Sequence, residues 1–331
     1  MAITIADVAA QAGVSKTTVS RVLNGKGDLH ESTAGRIRQV MTELGYVPSS
    51  RGVSLSRGRN CVVAVLVPSL TWPWVGDVIA GAVEVVEAEG YGLMIFACNR
   101  TDESMHRFSS QVSASVFDGL LVIQQEGTLD YISGLHTRSR PIVVIDDRLV
   151  AGKFPSVATT NYAGGRMAAD HLLSLRRRRP LVVTGPPGFH CTQERTQGFL
   201  DAYAAAGWPI EPHRVLTGMF TYESGRRAVQ RALDDALDFD AVFAHNDLSA
   251  IGAMHRLEGA GRRVPADVAM VGFDDVPEAA ESSLTTIHQP CREMGNAAAR
   301  LLMGFLDGVD TGDIPTTIPT SLVVRGSSLS A

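Results

Sequence analysis

The sequence predicts an α/β protein with a three-helix head, a hinge and two lobes, each built on a doubly wound parallel sheet. Three patterns carry this prediction. Apolar residues recur at helical spacing in three segments of residues 1–47, residues 48–60 are polar and basic, and from residue 61 short β-branched runs alternate with helical segments. A chain of 331 residues is long enough for two or three such parts.

The composition excludes a membrane protein and favours a globular one. Hydrophobic residues make up 45% of the chain and charged residues 20%, and the longest apolar runs have the length of a strand rather than of a membrane span. The N-terminus has no basic segment followed by an apolar core, so we expect a cytoplasmic protein. The four cysteines lie far apart without a CxxC pair, which indicates free thiols rather than disulfides or a metal site.

Charge is unevenly distributed along the chain. Residues 1–60 carry eight basic and four acidic side chains, a net charge of +4, whereas the whole chain carries −5 and the remainder therefore −9. A small basic part on an acidic body is typical of a head that binds a polyanion. Chance clustering of basic residues is the alternative.

The first two helices of the head have clear beginnings and ends. Thr4 and Asp7 have the spacing of a capping box that opens a helix. Gly13 ends that helix, because glycine tolerates the left-handed backbone of a tight turn. Ser15 caps a second helix, which we expect to run to about Asn24. Two short helices joined by a tight turn form a helix-turn-helix.

The second helix has two chemically different faces. Its inward face is formed by Val19, Val22 and Leu23. Its outward face carries the donors Lys16, Thr17, Ser20 and Arg21. A short helix with one buried face and one donor-rich face suits the major groove of DNA, although a purely structural head is the alternative. A third helix is predicted by the spacing of Ile37, Val40, Met41 and Leu44, before Gly45.

The head resembles a known family. Segments 5–9 (IADVA), 12–15 (AGVS), 18–24 (TVSRVLN) and 44–48 (LGYVP) are similar to the lactose-repressor (LacI) family of bacterial regulators. The resemblance implies that Lys16 and Thr17 choose bases and that Arg21 is a further base contact. The other DNA-binding residues that it implies are Thr4, Ser15, Thr18, Ser20 and Asn24.

The third helix departs from the family pattern at two positions. His30 stands where the family usually has a serine cap, and Gly35 falls within the first two turns. Because an interior glycine costs roughly 1 kcal/mol relative to alanine, we expect this helix to be shorter or more mobile than in relatives.

Residues 48–60 form the predicted hinge between head and body. Their composition alone indicates a linker, because nothing in them can build a core. The resemblance implies that this stretch folds into a short helix when two chains meet on DNA, and that Leu55 then enters the minor groove. Gly52 and Val53 replace the usual Ala-Arg pair and weaken that helix, and a permanently flexible tether is the alternative.

The body, residues 61–331, alternates strands and helices in a way that predicts two parallel sheets covered by helices. We expect one lobe over about 61–156 plus 284–316, and the other over about 157–283 plus 317–331. Predicted strands cover 62–67, 93–97, 120–123, 142–145, 157–159, 181–184, 215–216, 241–244 and 269–273. Such sheets bind ligands at the carboxyl ends of their strands, which here means the cleft between the lobes.

The resemblance extends over essentially the whole chain. It is carried in the body by segments 160–164 (TNYAG), 194–199 (ERTQGF), 246–247 (ND), 271–275 (VGFDD), 284–290 (LTTIHQP) and 322–325 (LVVR). It implies a sensor similar to periplasmic sugar-binding proteins, with no catalytic activity. By position, the expected effector contacts are Asp146, Asn161, Arg195, Asn246 and Asp274. Their donors and acceptors suit a polyol, although Asp and Asn after strands also cap helices.

Aromatic residues complete the expected effector site. Trp72 and Trp74 follow the first strand, where relatives usually carry Asn-Pro-Phe-Phe, and Phe220 is placed to close the pocket. Indole faces stack against the apolar face of a pyranose or against a flat ring, and core packing is the alternative. Cys291 stands where relatives often have an aromatic ring.

Other chemistry is not indicated. The nine histidines form no metal pair at i, i+4, the glycine runs match no phosphate loop, and we find no catalytic Ser/His/Asp or Cys/His set. We therefore expect no metal, no cofactor and no enzyme activity. The chain ends soon after segment 322–325, which leaves no room for a C-terminal heptad helix, so we expect a dimer rather than a tetramer.

The predicted function is that of a homodimeric repressor. It would bind a pseudo-palindromic double-stranded DNA operator on the nucleoid, under the control of a carbohydrate effector. A purine- or nucleoside-responsive regulator, a transport-type sugar-binding protein and a doubly wound enzyme are the alternatives.

Overall fold

The computed structural model describes residues 3–23, 30–46, 59–97, 103, 107–108, 117–123, 140–146, 154–309 and 316–329. The head contains three helices, α1 (Ile5–Gln11), α2 (Lys16–Leu23) and α3 (Glu31–Leu44). Val8, Val19 and Ile37, one from each helix, are fully buried together. The predicted three-helix head is confirmed, while the hinge with Gly52 and Leu55 lies outside the described residues, as does Asn24.

Local hydrogen bonds fix the start of each of the first two helices. The Asp7 carboxylate accepts from the Thr4 N–H at 2.8 Å and from the Thr4 hydroxyl at 2.7 Å. Gly13 has a φ of +63°, which a glycine adopts without strain. The Thr18 N–H then donates to Ser15 Oγ at 3.1 Å, so Ser15 caps α2.

Helix α3 continues through its interior glycine. It is 14 residues long although His30 gives no side-chain cap, and Gly35 lies one turn inside it. The helix therefore does not end at Gly35. Its buried residues Ala34, Ile37 and Val40 supply the packing that holds it.

The body contains twelve described strands in two sheets. In chain order its elements are β1 (Val62–Val67), α4 (Pro73–Ala88), β2 (Gly92–Ala97), β3 (Gly119–Ile123), β4 (Ile142–Ile145), β5 (Ser156–Thr159), α5 (Asn161–Ser174), β6 (Pro180–Val183), α6 (His190–Ala205), a 3₁₀ turn (Pro212–Arg214), β7 (Val215–Leu216), α7 (Tyr222–Asp234), β8 (Ala241–Ala244), α8 (Asp247–Glu258), β9 (Ala269–Asp274), α9 (Pro277–Glu281), β10 (Thr285–His288), α10 (Cys291–Leu306), β11 (Thr316–Ile318) and β12 (Ser321–Val323).

Each sheet is the centre of one lobe. Lobe one has the strand order β11-β5-β4-β3-β1-β2, and lobe two has β12-β10-β9-β8-β6-β7. The strands pair in parallel except for β10 with β12. Helices α4 and α10 pack on one face of the first sheet, while α5–α6 and α7–α8 cover the two faces of the second. No helix in these described ranges is long and apolar enough to span a membrane.

The positions at which the chain passes from one lobe to the other differ from the sequence prediction. The predicted second lobe began at residue 157, but β5 pairs with β4 and β11 and so belongs to the first sheet. The predicted first lobe resumed at residue 284, but β10 pairs with β9 in the second sheet. Periodicity identifies a strand but not the sheet in which it pairs, which explains both errors.

Side chains join the three crossings, which are the segments 159–161, 288–291 and 318–321 where the chain passes between the lobes. Thr160 and Thr320, on two different crossings, share a hydroxyl–hydroxyl hydrogen bond of 2.9 Å. The Thr159 hydroxyl donates to Gln289 Oε1 on the third crossing at 2.8 Å. The three connections therefore lie side by side between the two lobes.

Candidate functional site

The candidate effector site lies where the carboxyl ends of strands from both sheets face each other. Lobe one contributes Trp72 after β1 and Asp146 after β4. Lobe two contributes Asn246 after β8 and Asp274 at the end of β9. The carboxyl ends of parallel strands share one edge of a sheet, so residues distant in sequence meet there.

One small cavity collects nearly all of the predicted effector residues. It is lined by Trp72, Pro73, Trp74, Asp146, Arg195, Phe220, Asn246 and Asp274. Seven of the eight predicted residues are in this lining, and the eighth, Asn161, lies behind it against Arg195. The cavity volume is about 10 Å³, whereas pockets for small molecules usually measure about 300–1,000 Å³. The structure therefore shows the site in a closed form.

Arg195 is the centre of the polar half of the site. Its guanidinium is only 3% exposed and donates to Asn161 Oδ1 at 2.8 Å, to the His245 carbonyl at 2.6 Å and to Gln289 Oε1 at 3.0 Å. It also lies 3.5 Å from the centroid of the Phe273 ring. Three directed acceptors and one aromatic face hold the group rigidly, as recognition of a polar ligand requires.

Two carboxylates belong to this polar half, Asp146 next to Asn161 and Asp274 next to Arg195. Asp146 Oδ1 accepts from Asn161 Nδ2 at 3.4 Å, and Asp274 Oδ1 lies 3.8 Å from Arg195 Nη1. Burial raises the pKa of Asp274 well above its ordinary value, and the neighbouring Arg195 opposes that rise. Both aspartates have left-handed φ values, 63° and 113°, which are uncommon for non-glycine residues.

Aromatic rings fill the other half of the site. Trp72 of lobe one meets Phe189 and Phe220 of lobe two edge-on, at centroid distances of 6.1 Å and 6.0 Å, and stacks on Trp74 at 6.5 Å. Phe220 has a φ of +59°, and its carbonyl accepts from Asn246 Nδ2 at 3.0 Å. These rings close the two lobes on each other.

The ring of Phe220 needs a glycine beneath it. It lies so close to Gly185 that a Cβ at that position would overlap the ring. Gly185 therefore allows the close approach of the aromatic side chain to the sheet.

The residues of α2 that the sequence predicts to contact DNA lie on an exposed surface of that helix. Lys16, Thr17 and Arg21 are exposed, whereas Val19 on the opposite side is fully buried. Thr18 and Ser20 are half-buried between these two faces, and Thr4 and Ser15 lie exposed just before the two helices. The exposed donors Lys16, Thr17 and Arg21, which the sequence predicts to lie on one face of the helix, thus share one accessible surface.

Comparison with known proteins identifies the family. Residues 4–49 match bacterial regulatory proteins of the lacI family, and residues 169–328 match the periplasmic binding protein-like domain. The HTH-type transcriptional regulator CelR of Thermobifida fusca is 33% identical over 98% of both chains. The chain belongs to the LacI family. The HTH-type transcriptional repressor CytR of Escherichia coli (strain K12) is 29% identical, over 99% of this chain and 96% of that protein.

Solved structures agree with this assignment. The complex of the transcriptional regulator CelR with cellobiose has a TM-score of 0.76 at 32% identity, covering 98% of this chain and 100% of that one. The Lac repressor dimer bound to operator and the anti-inducer ONPF has a TM-score of 0.89 over the full length of both chains, at 24% identity, which shows the fold. The relatives of this LacI-family chain are transcriptional regulators rather than enzymes.

Sequence reasoning missed several buried polar residues that lie next to the candidate site of this LacI-family chain. Asp247 accepts from the Thr286 hydroxyl at 2.6 Å and from the Val276 N–H at 2.9 Å, and burial raises its pKa to about 7. His245 is fully buried, and burial next to Arg195 lowers its pKa well below the ordinary value. Gln289 bonds both Arg195 and Thr159.

Some of these residues could have been found from the sequence. Asp247 and Gln289 lie within motifs that carry the resemblance, so their positions were a usable signal. Phe189, which contacts Trp72, had no such signal because it lies in an ordinary loop before α6. Among the residues described, no group of His, Cys, Asp and Glu is arranged to hold a metal ion.

Proposed function

We propose that this chain is a transcriptional repressor that binds a pseudo-palindromic double-stranded DNA operator as a homodimer. A small carbohydrate bound between the lobes would control its operator affinity. The carrying observation is the convergence of polar and aromatic side chains from both lobes on one cleft, in a chain that also has a donor-rich helix-turn-helix. Support comes from the CelR complex with cellobiose and from the Lac repressor dimer bound to operator.

In this proposal α2 reads the operator in the major groove. Lys16, Thr17 and Arg21 contact bases, because they are the exposed donors of that helix. The residues nearer the phosphates are Thr4, Ser15, Thr18, Ser20 and Asn24. Leu55, outside the described residues, enters the minor groove at the centre of the operator.

The proposed effector site has the chemistry of a sugar site. Carboxylates accept from hydroxyl groups, amides both donate and accept, and the Arg195 guanidinium donates. The aromatic rings supply apolar faces for a pyranose. The residues proposed to hold the effector are Trp72, Trp74, Asp146, Asn161, Arg195, Phe220, Asn246 and Asp274.

The connection to the head is fixed to lobe one. The backbone N–H groups of Asn60 and Cys61 donate to the Asp118 carboxylate at 2.9 Å and 2.7 Å. Arg59 donates to Tyr91 Oη at 3.2 Å and lies 3.4 Å from the Asp307 carboxylate. A rotation of lobe one therefore carries the end of the hinge with it, which is how the effector would change the spacing of two heads.

The proposal is tested by selecting an operator from a random DNA library with the full-length protein. Fluorescence anisotropy of that operator is then measured with sugars, polyols and purine nucleosides, because indole faces also accept a flat base. We expect a two-fold symmetric site and a shift in operator affinity on adding one sugar. Failure to select any DNA refutes the repressor, whereas a response to nucleosides alone refutes the carbohydrate effector.

The absence of an enzymatic step and a cytoplasmic location are parts of the same proposal. The relatives are DNA-binding regulators, and such a protein acts where the chromosome lies. Incubation of the full-length protein with the responding sugar should return that sugar unchanged by chromatography. Any turnover product would contradict the proposal.

A further inference from the structure

A large cavity lies in lobe two, apart from the effector site. It is formed by the edge strand β7, the segment 217–221 and helix α7, and its volume is about 630 Å³. Pockets for small molecules usually measure about 300–1,000 Å³, so this cavity has the size of a ligand site. Among the described residues, none lines both this cavity and the closed cavity between the lobes. The two are therefore separate candidate sites.

One side of the cavity is apolar because the sheet stops there. β7 is the two-residue strand at the edge of the second sheet, next to β6. Leu216 of β7 and Ala228 of α7 belong to the core of lobe two and also line the cavity, together with Val215 and Leu237. Side chains of this kind offer an apolar surface to the body of a ligand.

The segment 217–221 forms a wall between the cavity and the effector site. Thr217 and Met219 are exposed and line the cavity, whereas Phe220 is buried and lines the effector site. The Met219 N–H donates to Ser224 Oγ at 3.1 Å, which ties the segment to the first turn of α7. A wall that is already fixed in this way reduces the entropy lost when a ligand binds.

Two arginines of α7 line the cavity one helical turn apart. Arg227 Nε donates to the Glu223 carboxylate at 3.0 Å, and Arg231 Nε lies 3.7 Å from the Asp235 carboxylate. Within the part of the chain that the structure describes, the Nη groups of both arginines have no partner. Guanidinium Nη groups donate in parallel pairs to the oxygens of a phosphate or carboxylate group.

The charges of the lining select an anion. Arg227 and Arg231 face one carboxylate, that of Asp235, so the lining carries more positive than negative charge at these positions. A cationic ligand would be repelled by the two arginines. A small polar anion would leave the apolar side of the cavity in contact with water. A ligand that joins an apolar ring to an anionic group uses both sides.

We propose that this cavity is a second ligand site, which binds a phosphate monoester with an apolar ring. The ring would lie against Val215, Leu216 and Leu237, and the phosphate would accept from Arg227 and Arg231. A phosphate monoester carries a charge of about −1.5 to −2 near pH 7, which matches two guanidinium groups better than a single carboxylate does. This inference goes beyond the proposed function, because it requires neither operator DNA nor a carbohydrate effector.

Calorimetry on the full-length protein tests the site with 1-naphthyl phosphate. Its two halves, inorganic phosphate and 1-naphthol, are measured in the same buffer. We expect 1-naphthyl phosphate to bind at least tenfold more tightly than either half, because it alone reaches both the apolar side and the arginines. Undetectable binding of 1-naphthyl phosphate, or an affinity equal to that of one half, overturns the proposal.

Substitutions around the cavity locate the bound probe. Arg227→Gln and Arg231→Gln should each weaken the binding of 1-naphthyl phosphate at least fivefold, and Thr217→Trp, which fills the cavity from an exposed position, at least tenfold. Arg226→Gln is the matched control, because Arg226 is exposed on the same helix and also pairs with Glu223 but lies outside the lining. Its affinity should change less than twofold. Unchanged affinity in both arginine variants, or in Thr217→Trp, places the probe elsewhere and overturns the proposal.

Discussion

Replacing Arg195 by methionine tests whether the buried guanidinium organises the effector site. Methionine has similar length but cannot donate, so Asn161 Oδ1, the His245 carbonyl and Gln289 Oε1 each lose a hydrogen bond of 2.6–3.0 Å. Asp274 loses its neighbouring cation at the same time. The variant therefore leaves several buried polar groups unsatisfied without creating a large cavity.

The expected loss of stability is large. An unsatisfied buried polar group costs about 1–3 kcal/mol, and removing one partner of a buried ion pair costs about 3–5 kcal/mol. The variant no longer buries the Arg195 charge, and this offsets part of the cost. We therefore expect the free energy of unfolding to fall by about 3–5 kcal/mol. In a domain of this size that corresponds to a fall in melting temperature of roughly 6–20 °C.

The loss should also depend on pH in a defined direction. Burial already raises the pKa of Asp274, and without Arg195 that pKa rises further. The folded variant then takes up a proton as the pH falls, which relieves the unpaired charge. Arg195→Met should therefore be less destabilising at pH 5 than at pH 8.

Urea unfolding of the full-length protein at both pH values measures these effects. The control is Arg226→Met on α7, where an exposed arginine pairs with Glu223 and little change is expected. A loss below about 1 kcal/mol at both pH values would refute the reasoning. It would mean that the free-energy cost of burying the guanidinium equals the free energy gained from its contacts, as occurs in some buried ion pairs.

Three further predictions concern the head and the buried acid. Lys16→Ala with Thr17→Ala should alter base preference within each half-site in a randomised-operator selection, by about 1–3 kcal/mol where a bidentate contact is lost, and an unchanged preference would contradict α2 as the reading helix. Gly35→Ala should stabilise α3 by up to about 1 kcal/mol, seen as slower amide exchange in that helix, because a Cβ there meets nothing within 4 Å. Since burial raises the pKa of Asp247 from 3.8 to about 7, unfolding free energy should fall by up to about 4 kcal/mol as pH rises from about 4 to about 7, and Asp247→Asn should remove that slope. If the unfolding free energy of Asp247→Asn still falls over this pH range, another group causes the pH dependence.

Much of the fold could be predicted because it depends on local pattern. Strands 142–145, 215–216 and 241–244 have the predicted bounds, since each is a short apolar run bounded by turns. The crossings could not be predicted in this way. Whether β5 or β10 pairs in one sheet or the other depends on long-range contacts that periodicity does not contain.

The site was predictable to a similar degree. The strand-end rule and the family resemblance together named residues that the structure brings to one cavity. They could not give the cavity between β7 and α7, because it depends on which strand lies at the edge of the sheet. Nor could they give the left-handed backbone of Phe220, because glycine and asparagine are the residues that normally signal it.

In the proposed function, the closed aromatic cluster would couple effector binding to lobe movement. Trp72 belongs to lobe one, yet its ring lies against Phe189 and Phe220 of lobe two, in the space where the proposed sugar would bind. Under the proposed function, a ligand would exchange those contacts for its own, and we expect its binding to change the lobe orientation. Because Asn60 and Cys61 are tied to lobe one, we expect that change to carry the start of the body, and with it the end of the hinge. If the proposed sugar alters operator affinity, linkage requires operator DNA to alter sugar affinity by the same factor.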